Sequence, residues 1–520
     1  MSAVLSNIDI KSLTPKARPI VEEIVVGKDI LELLAGAMYA DPLTIFREYL
    51  QNAADSIDLA REQGLPSSGA IDVVISIDRA ARSVRIRDTG AGIPSRDFVR
   101  RLTTIGASGK RGTKQRGFRG VGRLSGLGYC QEITFRGRVA GEGKVTELHW
   151  NGRKLRELLR DATYQGDLGD LVRSIVETRH VPALDHPERF FEVELGKVSR
   201  LRNDVLLNPE RIREYLAQVA PVPFHPNFAF GERISNFLRR NGVQEPIVVT
   251  IEGEEEPVYH RARDSIELSA TVTDQISDVE FLELRGMDGE VAAFGWMLEH
   301  SYAGAVPRRL GLGGLRLRAG NVQVGREATL APLFVEPRFA GWAIGDIHVA
   351  SNKILPNGRR DEFEPTLAYA YLQDELIILL KRLTQTIRDR SDQRTRLKRV
   401  QTQIAVIEAW LLQADEGGLS PVVARHVDRI LDARFEEAHK EVAKIPEGSP
   451  DKSASLIKIE ALAKRRTAAL PKGDQEIKTK ERSPLEKTID VALEVILNNV
   501  ATPHAGLIMS RKLLSAFEAS

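Results

Sequence analysis

Glu48, Asn52 and Asp55 fall on one side of a helix predicted across IFREYLQNAADSID, Ile45 to Asp58. At about 100° per residue, Asn52 lies about 40° from Glu48 and Asp55 about 20° the other way. A carboxylate, an amide and a second carboxylate in line are unusual on a surface helix, where charges of alternating sign are commoner. Such a set could accept a proton and offer oxygen to a cation. A second acid, Asp88, ends a predicted strand and is followed by Gly90 and Gly92, so backbone can approach a ligand while the carboxylate reads its edge. Glycines 117, 120 and 122 then expose backbone N–H groups where a further helix is predicted to begin, an arrangement suited to an anion. Taken singly, each piece also fits a solvated helix face, an Asp-Gly turn or a glycine loop.

The elements that carry these residues are legible from periodicity. Leu43, Phe46, Leu50, Ala53 and Ile57 form the apolar side of the first site helix, and Asp41-Pro42 supplies a capping acceptor and a first-turn proline. Val21 to Ala40 reads as a helix before it. Ile71–Asp78 and Ser83–Asp88 alternate apolar and polar residues as a hairpin, and EITFRGR and KVTELHW flank a Gly-Glu-Gly turn as another. FFEVELG is expected to close the sheet. Thr104 to Gly128 is rich in glycine and in Lys110, Arg111, Lys114, Arg116, Arg119 and Arg123, which suits a phosphate-bearing ligand or a solvated lid.

Order and spacing raise these pieces above their separate readings. An ExxxNAxxD helix, a strand ending DxGxG, a lid and then GxxGxG, all within about 80 residues, resemble the GHKL ATPases, a superfamily that includes the ninety-kilodalton heat-shock chaperones, MutL, gyrase B subunits, MORC proteins and histidine kinases. The boxes here run Glu48 to Asp55, Asp88 to Gly92 and Gly117 to Gly122. The resemblance implies an α/β sandwich with ATP between helix and lid. It gives Asp88 the adenine amino group and Asp55 a supporting place in the floor of the site. By residue type, Asn52 would complete the coordination of Mg²⁺, and Glu48 could orient and deprotonate the attacking water. Backbone at Gly120, Val121 and Gly122 would hold phosphates, with Ser108 and Lys110 as lid contacts.

Downstream, LLNPERIREYLAQVAPVPFHPNF reads as a helix and a proline-punctuated connector leaving the ATPase domain, and IVVTIEG, Ile247 to Gly253, opens a second region of strands. HVASNKILPNGRRDEFEP resembles the chaperone middle-domain segment whose arginine reaches the γ-phosphate. Arg360 takes that arginine's position, with Arg359 replacing a serine and Asp361 a glutamate. Beyond Thr366 the chain reads as helical. Lys381 to Arg399 holds eight basic residues against two acidic ones, which fits a solvated helix or a nucleic-acid surface. Ser483-Pro-Leu-Glu486 is a capping-box sequence ahead of an apolar stripe at Leu485, Ile489, Val491, Ala492, Val495 and Ile496, for docking on its own domain or for dimerisation.

The expected class is therefore α+β, with a GHKL domain over residues 1–205, an α/β middle domain over 206–385 and a helical region over 386–520. Composition agrees with a globular chain of two to four units: 520 residues, 42% hydrophobic, 28% charged and a net charge of +2, which implies no global pull toward nucleic acid or membranes. The single cysteine, Cys130, excludes a disulfide framework and a cysteine-rich zinc module, and points to a reducing, cytoplasmic setting. Neither a secretory leader nor a membrane span is expected. The reading that follows is a Mg²⁺-dependent ATP-hydrolysing clamp of the heat-shock chaperone type, a homodimer acting on a protein client. The alternatives are a MutL- or MORC-like nucleic-acid clamp, or a nucleotide-gated component of a larger system such as antiviral defence.

Overall fold

Apolar residues recurring every three or four positions bury one side of the first site helix, α1 (Thr44–Glu62), where Phe46, Leu50, Ala53 and Ile57 are lost from solvent. The structure, a computed structural model, describes residues 41–66, 69–105, 122–200, 202–416, 419–470 and 483–518; the expected helix at Val21 to Ala40 lies outside them. Asp41 closes a turn ahead of α1 rather than capping it. Its Oδ1 accepts the Leu43 N–H at 3.0 Å and its carbonyl accepts the Thr44 N–H at 3.1 Å, while Leu43 stands at the N-cap.

The apolar side of α1 packs on a seven-stranded sheet. In chain order its strands are β1 (Val73–Asp78), β2 (Ser83–Asp88), β3 (Cys130–Arg138), β4 (Lys144–Asn151), β5 (Val176–Pro182), β6 (Phe190–Val198) and β7 (Val249–Ile251), and in space they run β5-β4-β3-β6-β2-β1-β7. Both expected hairpins form, β1 with β2 and β3 with β4. Two expectations change. FFEVELG does not close the sheet but lies at its centre, antiparallel to both β2 and β3. IVVTIEG does not open a second region: β7 pairs in parallel with β1, and Ile247, Val249 and Ile251 join the core beneath α1. Short helices α2 (Ser95–Thr103), α3 (Gly152–Arg160), α4 (Leu168–Ile175) and α5 (Pro209–Val219, capped by Asn208) connect or cover the strands.

After α6 (Gly231–Arg240), a second sheet contains β8 (Ser265–Glu267), β9 (Thr273–Arg285), β10 (Val291–His300), β11 (Gly314–Ala319), β12 (Val322–Val324) and β13 (Ile344–Val349), ordered β12-β11-β13-β10-β9-β8. Its buried face carries charge as well as apolar groups. Asp346 sits between Arg318 Nε at 2.8 Å and His260 Nε2 at 3.2 Å. Both sheets belong to one compact unit, residues 1–300 and 304–378; a second unit takes the rest.

The chain is helical beyond Thr366, as expected: α7 (Leu367–Asp415) begins in the first unit and runs into the second, which also holds α8 (Pro421–Ala443), α9 (Pro450–Ala469), α10 (Pro484–Asn499) and α11 (Pro503–Glu518). The capping box at Ser483 and Glu486 forms in both directions. The stripe on α10 divides differently from its expected course: Leu493 and Leu497 are buried with the unit's core, whereas Leu485, Val491 and Val495 are exposed. Part of the basic run is used within the unit, since Arg396 donates to the Lys444 carbonyl at 2.5 Å and Arg399 lies 3.8 Å from Glu441.

The face of the first sheet away from α1 is tied by a ladder of opposite charges across five strands. Arg179 on β5 meets Glu147 on β4, which Arg136 on β3 reaches at 2.7 Å. Arg136 also reaches Glu192 on β6 at 3.0 Å, and Glu192 takes Arg87 of β2 at 2.7 Å. Burial alone would raise the Glu147 carboxyl, yet its hydrogen bonds to Arg179 and Arg136 hold it below the ordinary glutamate value. Replacing Arg136 by Met should cost about 1–3 kcal/mol in urea unfolding at pH 7, because two nearly buried carboxylates lose a partner. A carboxylate whose folded value is depressed stabilises above its unfolded value near pH 4, and loses that contribution as pH falls through the folded value. The gap between Arg136→Met and the parent should therefore close below about pH 4; a gap independent of pH would show that packing of the arginine stem accounts for it.

Candidate active site

The polar side of α1 faces two loops that the sheet delivers to opposite ends of the helix. Toward its C-terminal half, Asp88 leaves the end of β2 and is buried. The Gly90 N–H donates to Asp88 Oδ1 at 2.9 Å, and the Ala91 N–H donates to the Ser56 carbonyl at 2.9 Å. Only glycine fits at position 90, where a Cβ would stand 2.2 Å from Ser56 Oγ and 2.6 Å from the Ser56 carbonyl carbon. Gly92, at φ 72°, turns the chain onward. Burial pushes the Asp88 carboxyl up to about 7, against the opposing pull of the Gly90 N–H, the Ser56 hydroxyl and the charge of Arg189. Arg189 is buried and donates to the carbonyls of Pro66 at 2.9 Å and Thr89 at 3.1 Å, so it pins the loop on which Asp88 stands.

Toward the N-terminal half, the last glycine of the third box meets the first residue of the first. A Cβ on Gly122 would fall 2.5 Å from Glu48 Oε2. Gly122 opens a short 3-10 turn, Gly122–Gly128, held to α1 by the Tyr49 hydroxyl, which donates to the Arg123 carbonyl at 3.1 Å. Glu48 is buried, and its Oε1 lies 3.2 Å from the guanidinium of buried Arg47. The same Arg47 Nη2 donates to the carbonyl of Arg359 at 3.0 Å.

Between these ends lie Asn52 and Asp55. Asp55 is buried, whereas Asn52 is half-buried and its amide has no hydrogen-bond partner among the described residues. The loop of Arg360 is tight: the Asn357 N–H donates to the Glu362 carbonyl at 2.8 Å, and the Asn357 amide donates to Asp361 at 2.6 Å. Arg360 is buried at φ 56°, and its carbonyl accepts the Gly325 N–H at 2.8 Å. The structure thus brings Glu48, Asn52, Asp55, Asp88, Gly90 and Gly122 onto or against one helix, with Gly92 beside the Arg138 carbonyl at the end of β3 and Arg360 in the loop that touches Arg47. Ser108, Lys110, Gly117, Gly120 and Val121 lie outside the described residues.

Sequence reasoning missed Arg47 and Arg189. Arg47 adjoins Glu48, a cue that went unread, but its second partner lies more than three hundred residues away. Arg189 carried no signal, since its role depends on where β6 enters the sheet. Among the described residues no group of three histidine, cysteine or acidic side chains could hold a metal ion on protein ligands alone.

Residues 46–165 match a family model described as histidine kinase-, DNA gyrase B- and HSP90-like ATPase. Similar curated proteins are named chaperone protein HtpG. That of Polaromonas naphthalenivorans is 30% identical over 139 residues, 23% of this chain and 22% of its own length. The Rickettsia typhi protein is 27% identical over 180 residues, 31% and 28% of the two chains. The Chlorobaculum tepidum protein is 32% identical over 91 residues, 16% and 14%. The chain thus matches at most 28% of the length of these relatives. With the helix, the acid-ended strand and the glycine turn assembled as above, the chain carries an ATPase domain of the GHKL type, close to that of the Hsp90 family.

Proposed function

We propose that this protein binds and hydrolyses ATP with Mg²⁺ as a conformational clamp of the chaperone type. The observation that carries the reading is the arrangement of α1, with a buried acid docked at one end, a carboxylate against the glycine turn at the other, and the half-buried Asn52 amide between them. In this reading Asp88 accepts the amino group of adenine, Asp55 supports the floor, and Gly90 and Gly92 let backbone approach the base. Gly122, with Gly117, Gly120 and Val121, gives N–H groups to the phosphates, and Ser108 and Lys110 belong to the lid. Magnesium, held through the oxygen of Asn52, would offset phosphate charge. Glu48 takes the proton of the attacking water.

Arg47 bears on how that base is controlled, since its guanidinium is shared between the Glu48 carboxylate and the Arg359 carbonyl. The adjacent Arg360 is the side chain that would meet charge developing on the transferred phosphoryl group. A chaperone-like role finds support in the name carried by the similar proteins. Within it we assign residues 1–205, 206–385 and 386–520 to nucleotide, transducer and helical parts, with α5 and β7 of the second stretch packed into the core of the first. The protein would act as a homodimer on a protein client, in the cytoplasm. No described helix is long and apolar enough to cross a membrane.

Steady-state ATP hydrolysis tests the reading. Glu48→Ala should keep ATP binding and lower turnover by roughly 10²-fold or more; unchanged turnover would remove Glu48 as the base. Arg360→Ala should lower turnover roughly tenfold or more while leaving nucleotide affinity near that of the parent, and parental hydrolysis would exclude Arg360. Asp88→Asn should abolish nucleotide binding and yet stabilise the free protein at pH 8. The folded value of Asp88 is raised, so its stabilising contribution is complete below the unfolded value near 4 and is lost as pH rises through about 7. The variant's free-protein Tm should exceed the parent's by roughly 2 °C or more at pH 8 and by less at pH 5, and ATP should no longer raise it. An ATP-dependent rise in the Tm of Asp88→Asn would show that the base sits elsewhere.

A further inference from the structure

We infer that Phe191 determines which bases the Asp88 end of the site accepts, by presenting only carbon to the base edge beside its amino group. The inference rests on the ATP-site reading above. In the register of the first sheet, Asp88 of β2 stands across from Phe191 of β6, and Phe191 stands across from Gly137 of β3. Cross-strand partners turn their side chains to the same face, about 5 Å apart. That face is the one beneath α1, because Asp88 reaches Ser56 there and Val193 and Leu195, next along β6 in the same alternation, join the core.

The row is built around the ring. A Cβ on Gly137 would stand 2.7 Å from the Phe98 ring and 3.4 Å from Phe191 Cδ2, so glycine admits both aromatics. Fully buried Phe98 and Phe135 lie against Phe191 at centroid distances of 6.2 and 6.1 Å and leave its ring half-buried. The next polar side chain along the row is Thr146 of β4, across from Gly137, and its hydroxyl is engaged with Ser95 Oγ at 2.9 Å. Arg189, one pleat back on β6's side, is held by the Pro66 and Thr89 carbonyls. Asp88, Phe191 and Gly137 therefore offer one hydrogen-bond acceptor followed by carbon. A 6-amino purine gives its amino hydrogen to the acid and lays the edge of N1 and C2–H on Phe191, the N1 acceptor being common to both nucleotides compared below. A second amino group on that edge would be buried against the ring without an acceptor, giving up its hydrogen bonds to water.

The test is calorimetric, on the full chain, with ATP and with 2-amino-ATP, the triphosphate of 2,6-diaminopurine riboside. The parent should bind ATP about tenfold or more tightly than 2-amino-ATP. Phe191→Thr, which brings a hydroxyl to the row, should reduce that preference to about threefold or less, and Phe191→Leu, which keeps carbon there, should retain most of it. Equal affinities in the parent would overturn the assignment, as would a Phe191→Thr variant that weakens both nucleotides by the same factor. The parental ratio needs no variant, so equal affinities would overturn the assignment even if Phe191→Thr does not fold, and a Phe191→Leu variant that loses the preference would overturn it too. Failure of the parent to bind ATP at all is a separate outcome, which would refute the ATP-site reading itself.

Discussion

The Ala91 N–H donates to the Ser56 carbonyl, a contact possible only because residue 90 has no Cβ to strike the helix. It fixes the height at which Asp88 meets α1, and so its separation from Glu48 two turns away. The opposite face of α1 keeps this geometry from drifting. Phe46, Leu50, Ala53 and Ile57 are packed into the sheet that carries Asp88, so helix and strand share one core. An interior at crystal-like density resists sliding of one element past another. The polar side of the helix thus inherits its precision from the apolar side.

The cost of that precision is electrostatic. Glu48 and Asp88 are both nearly lost from solvent, where an ionised carboxylate is expensive. The two ends meet the expense differently. Glu48 keeps company with the Arg47 guanidinium, whereas Asp88 has backbone, a hydroxyl and a more distant arginine, and burial prevails. On the far face of the same sheet, with partners on both sides, Glu147 moves the other way. Environment, not residue type, sets Asp88 and Glu147 apart.

The first site helix, both early hairpins and the capping box at Ser483 could be read because each is a local matter, a periodicity of 3.6 or 2 or a contact three residues away. The central place of β6 and the addition of β7 beside β1 could not, because strand order is decided by pairings across more than a hundred residues. The site divides along the same line. Glu48, Asn52, Asp55 and Asp88 were visible through spacing, but Arg47's hold on Arg359 and Arg189's hold on Thr89 depend on how distant segments meet. The α10 stripe illustrates a further limit. Several apolar positions around a helix do not reveal which of them face the neighbouring helix, and here Leu493 and Leu497 do while Val491 and Val495 do not.

From Glu48 to Ser56 the helix rises about 12 Å, at about 1.5 Å per residue. In the reading proposed above, with the base at the Ser56 end, α1 would be a gauge lying alongside the bound molecule. A diphosphate would fill the same base end as a triphosphate but stop short of the far mark, where Arg47 joins Glu48 to the Arg359 loop. The news that the last phosphate is present therefore need not be carried by any rearrangement of the base pocket. It would arrive where Arg47 already meets the Arg359 carbonyl, in a segment from beyond the second sheet.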